Sequence, residues 1–584
     1  MNKHNSKKKS IGFHTWKRLL SYLLKHKLQS LIIAVLILAS NYLLIIIPEI
    51  SGNAIDLIEA NAKQNFNNVL KLSIMMIIMY IAVSVMTYVY TYMFTTVGQK
   101  VAFDLRKQAF SKILDLSASS LSKYQSGEVI SRLTYDINIV ATSITNDFVH
   151  IVTVAITFVG TGAMMLKISP QLFLIYLVIV PATLLVARWR GKIVKPLFSK
   201  RSRDNGDLCR YIDEKVTGTK TIRAYCAEDY YCTEFSQVNK QACQSQYIAE
   251  YFASSIFPIM SFISNLALAL ISFIGILLYL SNLLSIGNIS SFILYSRRFL
   301  GSISEVSNVY SEIQSALAAS ERIFALLDED VENDDMAQID AKISGNISFK
   351  NLDFGYIKEQ PILKNINLEI KAGETIAVVG ETGSGKTTLI SLLMRFYELD
   401  GGKILLDGID ITQMPRKQLR KNFSLVLQSS WIFNDTIKNN IAYGRNDISD
   451  EDIIKAATAA NVHDIITSLP KGYDSILNEN AVNLSKGQKQ LISIARCMVQ
   501  NSNMLILDEA TSNVDTATEK LISDAMVNLR KGKTCFIIAH RLSTVQDADR
   551  IVVLGHGEIL ETGTHDELIS MGGEYARIYK SQFN

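Results

Sequence analysis

The chain has 584 residues, of which 48% are hydrophobic and 20% charged, and its formal net charge is +4. This length is too great for one compact domain, and so small a net charge gives no reason to expect a nucleic-acid partner. The six cysteines show no C-x-x-C spacing, which indicates neither a zinc site nor a disulfide framework. The averages conceal a division near residue 327, because the long apolar runs lie before it.

The N-terminal segment predicts a helix at a membrane surface and no secretory signal peptide. Residues 1–10 are polar and rich in lysine, and no small-residue cleavage site lies nearby. Residues 14–27 alternate basic and apolar positions at helical spacing, which is typical of an amphipathic interfacial helix. The alternative is that this segment is the first turn of a longer helix.

Six apolar runs follow, each close to the roughly 20 residues needed to cross a hydrocarbon core about 30 Å thick. They cover Leu31–Ile47, Leu72–Phe94, Phe148–Leu166, Leu172–Ala187, Ile256–Leu280 and Ile289–Val309. Lys and Arg concentrate in the N-terminal segment and in the connections 95–147 and 188–255. The positive-inside rule therefore predicts that both termini and both long connections are cytosolic.

The two long connections lack Pro-rich or Gly/Ser-rich linkers, so they are predicted to be helical arms that leave the bilayer, turn and return. The turns are expected near 125–136 and 214–220. Such arms either transmit motion to a cytosolic motor or pack without a role in transmission.

Arg297 and Arg298 lie inside the sixth run, where a charge is costly unless it faces protein or water. They either line a substrate route that favours anionic or polar groups, or pair with an acid of another span or of a partner chain. An acidic stretch follows at 328–340. We therefore predict a transmembrane domain at 1–327, a linker at 328–343 and a soluble domain at 344–584.

The soluble part contains the pattern of a P-loop, in which a buried strand leads through a glycine-rich loop into a helix. An apolar run at 375–379 precedes the loop, and a helical pattern follows it from Leu389. Glycines let backbone N–H groups surround a phosphate at a helix N-terminus. Lys386 is predicted to reach the β- and γ-phosphates, and Thr387 to ligate Mg²⁺. The predicted nucleotide contacts of the loop are Gly380, Glu381, Thr382, Gly383, Ser384, Gly385, Lys386, Thr387 and Thr388.

Two more apolar runs end in polar residues that suit nucleotide hydrolysis. Asp508 and Glu509 follow the run at 504–507, and His540 follows the run at 535–539. Asp508 is predicted to hold Mg²⁺ through water, and Glu509 to act as the general base on the attacking water. His540 is predicted to sense the γ-phosphate as a hydrogen-bond donor. Glu509, His540 and Lys386 are thus the predicted catalytic residues.

The segment Leu484-Ser485-Lys486-Gly487-Gln488 resembles the LSGGQ signature of ABC ATPases. Further matches are Gln428 with the Q-loop, Tyr356 with the A-loop that stacks on adenine, Ser512-Asn513-Val514-Asp515 with the D-loop, His540 with the H-loop and Glu479 with the X-loop. The first part of the chain resembles a six-span exporter domain. The chain as a whole therefore resembles a half-transporter of the type IV ABC exporter class.

This resemblance implies a multidomain fold and two ligands. An all-α six-span transmembrane domain would precede an α/β, RecA-like nucleotide-binding domain with an antiparallel β subdomain and an α-helical subdomain. ATP and Mg²⁺ are the implied cofactors. The resemblance adds Tyr356, Gln428, Ser485, Gly487, Gln488 and Asp515 to the nucleotide contacts, and it places Gln428 with Thr387 and Asp508 at the metal. It also implies a multi-pass protein of the cell membrane.

A second half-transporter is the implied partner, because a signature binds a γ-phosphate only when it lies opposite the P-loop of another domain. The sequence departs from the family pattern at two places: Lys486 replaces a glycine of the signature, and Asn480-Ala481 replaces Arg-Gly after the X-loop acid. Lys486 is either harmless or, beside an intact Glu509, marks the consensus-acid chain of a bacterial heterodimeric exporter. A heterodimer is favoured, and a homodimer stays open.

The predicted function is ATP-driven export of an amphipathic small molecule of the drug or lipid class, by alternating access. Export of a bacteriocin-type peptide is the alternative within transport, although no cysteine-peptidase domain precedes the spans. A soluble ABC ATPase of translation or DNA repair is opposed by the six apolar runs. A channel or regulatory subunit with little ATP hydrolysis is opposed by Glu509 and His540.

Overall fold

The structure is a computed structural model that describes most of the chain. The described residues are 15, 17–19, 21–22, 24–61, 63–332, 334, 336–341, 343–357, 360–427, 430–445, 447–477, 484–508, 515–538 and 545–583. The chain divides into two compact units, one made of Met1–Leu114 with Gln125–Asp328 and the other of Asp115–Tyr124 with Glu329–Asn584.

The first unit consists of helices in its described residues, and the described residues among 15–24 are also helical. The helices are α1 (Lys27–Asn61), α2 (Phe66–Asp115), α3 (Ala118–Leu121, in the second unit), α4 (Ser126–Ser131), α5 (Ile137–Thr142), α6 (Phe148–Ile168), α7 (Pro170–Thr217), α8 (Thr219–Ala224), α9 (Glu228–Ser254), α10 (Ile256–Leu280) and α11 (Ile286–Leu327). Wider, π-helical turns at Arg132–Asp136 and Ser143–Asp147 join α4, α5 and α6.

Within the described residues, five helical stretches are long and apolar enough to cross a membrane. They are Lys27–Asn61, Phe66–Asp115, Ser126–Ile168, Pro170–Thr217 and Glu228–Leu280. The sixth predicted run lies in α11, a helix of 42 residues that carries Arg297 and Arg298. Each of the six apolar runs thus lies within a separate helix. A helix suits a membrane-spanning segment because it pairs the backbone N–H and C=O groups within the segment itself.

Helices α2 and α7 continue past their apolar runs to Asp115 and Thr217, so the long connections are largely helical. The short helices α3 and α8 follow these ends. The first turn lies nearer 116–125 than the predicted 125–136, since Ser126–Ser131 is itself helical. The second turn lies at Gly218, within the predicted range.

A network of charges holds the first π-helical turn against α11. The side chain of Asp136 is only 4% exposed, and it accepts hydrogen bonds from Nε and Nη2 of Arg322 at 2.8 and 2.5 Å. Arg132 donates to the carbonyl oxygen of Arg322 at 3.1 Å and to the carboxylate of Glu128 at 2.6 Å. The bond to Asp136 raises the pKa of Arg322. The buried carboxylate is therefore paired, as its burial requires.

The second unit is built on two main sheets. The antiparallel sheet has the strand order β2-β1-β4-β5, and the six-stranded sheet has the order β12-β11-β3-β10-β9-β6, which is parallel except for β12. A separate two-stranded antiparallel sheet pairs β7 with β8. The strands are β1 (Ile347–Phe354), β2 (Leu363–Ile370), β3 (Thr375–Val379), β4 (Gly401–Leu406), β5 (Ile409–Asp410), β6 (Phe423–Val426), β7 (Asp435–Thr436), β8 (Ile476–Leu477), β9 (Met504–Asp508), β10 (Thr534–Ile538), β11 (Arg550–Gly555) and β12 (Glu558–Gly563).

Nine α-helices of the second unit follow α11 in the described residues. They are α12 (Lys386–Leu393), α13 (Arg416–Lys421), α14 (Ile437–Ala442), α15 (Asp450–Ala459), α16 (His463–Thr467), α17 (Lys486–Gln500), α18 (Thr516–Arg530), α19 (His565–Met571) and α20 (Glu574–Phe583). Single 3₁₀ turns lie at Ile411–Gln413 and Gly472–Asp474.

The central strands of the six-stranded sheet are buried on both faces. Ala377 and Val379 of β3 belong to one apolar core, whereas Ile376 and Val378 belong to the core on the opposite face. Parallel strands covered on both sides need apolar residues at successive positions. This is why the sequence shows continuous apolar runs at these strands.

The acidic stretch predicted to be a linker packs against the rest of the second unit at its start. Glu332 receives two hydrogen bonds from the guanidinium of Arg420, at 2.8 and 3.0 Å. The hydroxyl of Tyr124 donates to Glu329 at 2.7 Å, and the backbone N–H of Lys417 donates to Asp334 at 3.2 Å. These acids are therefore fixed by specific donors, which a count of charges does not reveal.

Candidate nucleotide-binding site

Strand β3 leads directly into the predicted P-loop, and α12 begins at Lys386. A Cβ atom at Gly380 would lie 2.2 Å from the carbonyl oxygen of Leu554, on the neighbouring strand β11. Gly385 has φ +104°, and a Cβ there would lie 2.6 Å from a methyl group of Leu363. Gly380 is therefore required because a Cβ would collide with the backbone of β11, and Gly385 because its positive φ strains any residue with a Cβ.

Lys386 lies inside this loop with 7% of its surface exposed. Its Nζ donates hydrogen bonds to the carbonyl oxygens of Gly380 and Glu381, at 2.8 and 2.9 Å. Burial lowers the pKa of Lys386, and the negative charge of Asp508 acts in the opposite direction. The ammonium group thus closes the loop on itself and lies within electrostatic reach of the acid at the end of β9.

The sheet order explains why distant motifs meet at one place. The strands β3, β10, β9 and β6 are parallel neighbours, so their carboxyl ends share one edge of the sheet. Asp508 is the last residue of β9, where it pairs with Ile538 of β10. Thr387 is exposed in the first turn of α12. Of the two predicted metal ligands, Asp508 ends the strand β9 at this edge, and Thr387 follows the strand β3 through the loop.

Three predicted site residues lie outside the described part of the chain. They are Gln428, Glu509 and His540. The X-loop residue Glu479 and the first three residues of the predicted D-loop also lie outside it. Chain continuity places Glu509 next to Asp508, and their predicted roles stay predictions.

Tyr356 follows β1 and approaches the same loop. Its hydroxyl lies 3.4 Å from Oγ1 of Thr388, in the first turn of α12, and 50% of its surface is exposed. Ser384 is buried, and its hydroxyl oxygen has no hydrogen-bond partner among the described residues. Glu381, Thr382 and Thr387 are exposed at the surface of the loop.

The signature segment forms the start of α17. Oγ of Ser485 accepts a hydrogen bond from the backbone N–H of Gln488 at 3.2 Å, and the Gln488 side chain accepts from the N–H of Ser485 at 2.9 Å. This is a capping box, which fixes the helix N-terminus. Ser485 and Lys486 are exposed, and Gly487 is buried. No hydrogen bond or ion pair joins the described residues 484–488 to the described residues 380–388.

Asp515, predicted to contact nucleotide, caps α18 in the same way. Its carboxylate accepts a hydrogen bond from the backbone N–H of Thr518 at 2.9 Å, and this bond lowers the pKa of Asp515. The acid is therefore charged and fixed at a helix N-terminus, where a negative charge is favoured.

Sequence reasoning missed Arg577, which reaches the P-loop from the C-terminal helix α20. Its Nη2 lies 2.9 Å from the carboxylate of Glu381. The helix is anchored, because Tyr575 is fully buried with its hydroxyl 2.8 Å from Nδ1 of His565, and Glu561 accepts a hydrogen bond from the N–H of Tyr575 at 3.0 Å. Nothing in the sequence links these positions, which are 196 residues apart.

Replacing Arg577 with alanine is expected to raise the KM for ATP hydrolysis about two- to fivefold with little change in kcat. An exposed ion pair contributes about 0.2–1 kcal/mol, and this one acts on the position of the loop. Steady-state kinetics would check it, with Lys580→Ala on the same helix as the control. An unchanged KM for Arg577→Ala, or the same rise in the control, would contradict the expectation.

The described residues fit a nucleoside triphosphate. A side chain at Gly380 would collide with β11, Lys386 is buried, and the buried hydroxyl of Ser384 has no partner among the described residues. Phosphate oxygens are stronger acceptors for a lysine ammonium than the backbone carbonyls that Lys386 now contacts.

Comparison with known proteins gives two family matches in one chain. Residues 30–303 match the model of the ABC transporter transmembrane region, and residues 363–512 match the ABC transporter model. The chain is 40% identical over 571 residues to the uncharacterized ABC transporter ATP-binding protein YfiC of Bacillus subtilis, covering 97% of this chain and 94% of that protein.

Two further relatives have named substrates. A fatty acid ABC transporter ATP-binding/permease protein of Mycobacterium bovis is 38% identical, covering 83% of this chain and 76% of that protein. An ATP-dependent lipid A-core flippase of Syntrophus aciditrophicus is 35% identical, covering 83% of this chain and 81% of that protein. A solved structure of a bacterial Atm1-family ABC exporter with ATP bound is 26% identical with a TM-score of 0.78, covering 96% of this chain and 98% of that one.

These matches confirm the predicted fold class, in which a helical transmembrane domain precedes a nucleotide-binding domain with mixed sheets. They also confirm that the protein is an ATP-hydrolysing transporter embedded in a membrane, which excludes the soluble ATPase. The chain belongs to the ABC transporter family, in which it is a half-transporter of the type IV exporter class.

Proposed function

We propose that the protein exports an amphipathic small molecule of the lipid or drug class across the cytoplasmic membrane, as one half of an ATP-driven dimer. The observation that carries the proposal is the presence of a phosphate-binding loop and five long apolar helices in one chain. The relatives named for fatty acids and for lipid A-core support a lipid-like substrate. The cytosolic positions of both termini, and the domain boundaries at 327 and 344, belong to the same proposal.

We propose the following roles for this chain's own residues in ATP binding and hydrolysis. Lys386 and the backbone of 380–388 bind the phosphates, and Thr387, Asp508 and Gln428 hold Mg²⁺. Mg²⁺, when bound, neutralises charge that develops on the phosphate oxygens. Glu509 takes the proton of the attacking water, and His540 donates a hydrogen bond to the γ-phosphate. Tyr356 stacks on the base.

A second nucleotide-binding domain completes the site. The N-terminus of α17 is exposed, with Ser485 and Lys486 at the surface, and no described contact joins it to the P-loop of the same chain. A helix N-terminus favours an anion. Ser485, Gly487, Gln488 and, through its helix cap, Asp515 therefore serve the nucleotide of the partner half-transporter.

The two arginines of α11 differ in their surroundings. Arg298 donates a hydrogen bond to the carbonyl oxygen of Leu44 at 2.5 Å, whereas the side chain of Arg297 is exposed in the single chain. A charge inside a span avoids lipid. Arg297 is therefore proposed to face the cavity between two halves, where it favours anionic or polar groups of the substrate.

If the protein works as a heterodimer, the isolated chain is expected to be a weak ATPase. Purified alone, it is expected to hydrolyse ATP slowly, and the addition of a second half-transporter is expected to raise turnover, because Lys486 occupies a glycine position of the signature. Lys486→Gly in the lone chain is the matched variant, which is expected to recover part of that rate. Fast hydrolysis by the unmodified homodimer would contradict the heterodimer.

Transport is tested in proteoliposomes that contain the assembled transporter. ATP-dependent movement of a fluorescent fatty acid or phospholipid, lost on Lys386→Ala, is the expected result. Movement of a peptide but of no lipid or drug probe would replace this proposal with the peptide exporter.

A further inference from the structure

Tyr356, the proposed platform on which the nucleotide base stacks, is part of a cluster of three aromatic rings. The ring of Tyr397 meets that of Tyr356 edge to face, with centroids 5.0 Å apart and planes at 81°. Phe354 meets Tyr356 in the same manner, at 5.2 Å and 84°. The rings of Phe354 and Tyr397 are themselves 5.9 Å apart. Edge-to-face contacts are a favoured geometry for aromatic pairs, so the two neighbours define the plane of the Tyr356 ring.

A further contact ties this ring to the phosphate loop. The Tyr356 hydroxyl lies 3.4 Å from Oγ1 of Thr388, which is 6% exposed in the first turn of α12. The ring is thus contacted at its hydroxyl end by the P-loop helix and on two further sides by Phe354 and Tyr397. The separation between the ring and the loop is set by the protein before any nucleotide binds.

The exposures of the three rings show which one is free for a ligand. Phe354 is 5% exposed, at the end of β1, and Tyr397 is partly buried. Tyr356 is 50% exposed although it is the ring that is fixed on three sides. An exposed tyrosine side chain ordinarily samples several rotamers. Because these contacts hold the Tyr356 ring in one orientation, less conformational entropy is lost when a base stacks on it.

We propose that Tyr397 is a positioning residue that holds the Tyr356 ring in the orientation for stacking on the base of a nucleoside triphosphate. The inference rests on the proposed role of Tyr356. Stacking recognises the face of any base and needs no hydrogen bond, so the site prefers the larger purine ring through its contact area. Tyr397 acts only on the base-dependent part of the affinity, and the phosphate contacts of Lys386 do not depend on it.

The test compares two ligands that share the phosphates but differ in the base. Isothermal titration calorimetry of the purified full-length chain, in its transporter assembly, measures the affinities for MgATP and for inorganic tripolyphosphate. Tyr397→Ala is expected to weaken ATP about two- to tenfold, the size of one edge-to-face contact. The affinity for tripolyphosphate is expected to stay unchanged. Tyr397→Phe keeps the ring and is expected to bind ATP as the unmodified chain does.

A double replacement separates the possible failures. Tyr356→Ala with Tyr397→Ala is expected to bind ATP no more weakly than Tyr356→Ala alone, since Tyr397 acts through Tyr356. Equal weakening of ATP and tripolyphosphate by Tyr397→Ala would overturn the inference, because it would indicate a general structural role. Unchanged ATP affinity in Tyr397→Ala would also overturn it. If Tyr356→Ala itself left ATP affinity unchanged, the proposed base platform would fail instead.

Discussion

Replacing Lys386 with alanine is expected to abolish ATP hydrolysis and ATP-dependent transport. The buried Nζ is a positive charge held inside the loop by the carbonyls of Gly380 and Glu381, in a place where solvent does not screen it. Removing one preorganised donor from such a site costs about 10²–10³-fold in rate. The loss of the two loop contacts adds to this effect, because the loop is no longer closed on itself.

ATPase assays on the reconstituted transporter would measure the effect. Lys403→Ala, at an exposed lysine of β4, is the control and is expected to keep full activity. Arg297→Ala separates the motor from the substrate route, since it is expected to change transport while ATP is still hydrolysed. A Lys386→Ala protein that hydrolysed ATP within a few-fold of the normal rate would remove the P-loop from the mechanism.

Replacing Glu509 with glutamine is expected to reduce turnover about 10²–10⁴-fold while ATP still binds, because the amide cannot accept the proton of the attacking water. The neighbouring Asp508 remains at the end of β9, so the proposed metal ligand is kept. Single-turnover kinetics and nucleotide-binding measurements together distinguish lost chemistry from lost binding.

The matched control for this variant is Glu558→Gln, at an exposed acid of β12. It is expected to turn over ATP normally. If Glu509→Gln also turned over normally, the protein would fit a regulatory membrane subunit better than a motor, and the proposed export would have to be reconsidered.

The sequence alone determined the elements and the class of the protein. The strand, loop and helix at 375–393 and the six apolar runs depend on residues within a few positions of each other, and local periodicity reveals such features. The signature at 484–488 likewise carries its meaning in consecutive residues. The matches to two family models and the helices of the structure agree with these predictions.

The tertiary structure decided which residues support those motifs. Tyr397 contacts Tyr356 ring to ring, and Arg577 reaches Glu381, only because the sheet and its covering helices bring distant segments together. The sequence shows neither contact, since each partner taken alone is an ordinary exposed or half-buried side chain. The periodicity of apolar residues indicates which face of a segment is buried and which is exposed to water. It does not indicate which other segment packs against that face, because this depends on strand order and helix packing.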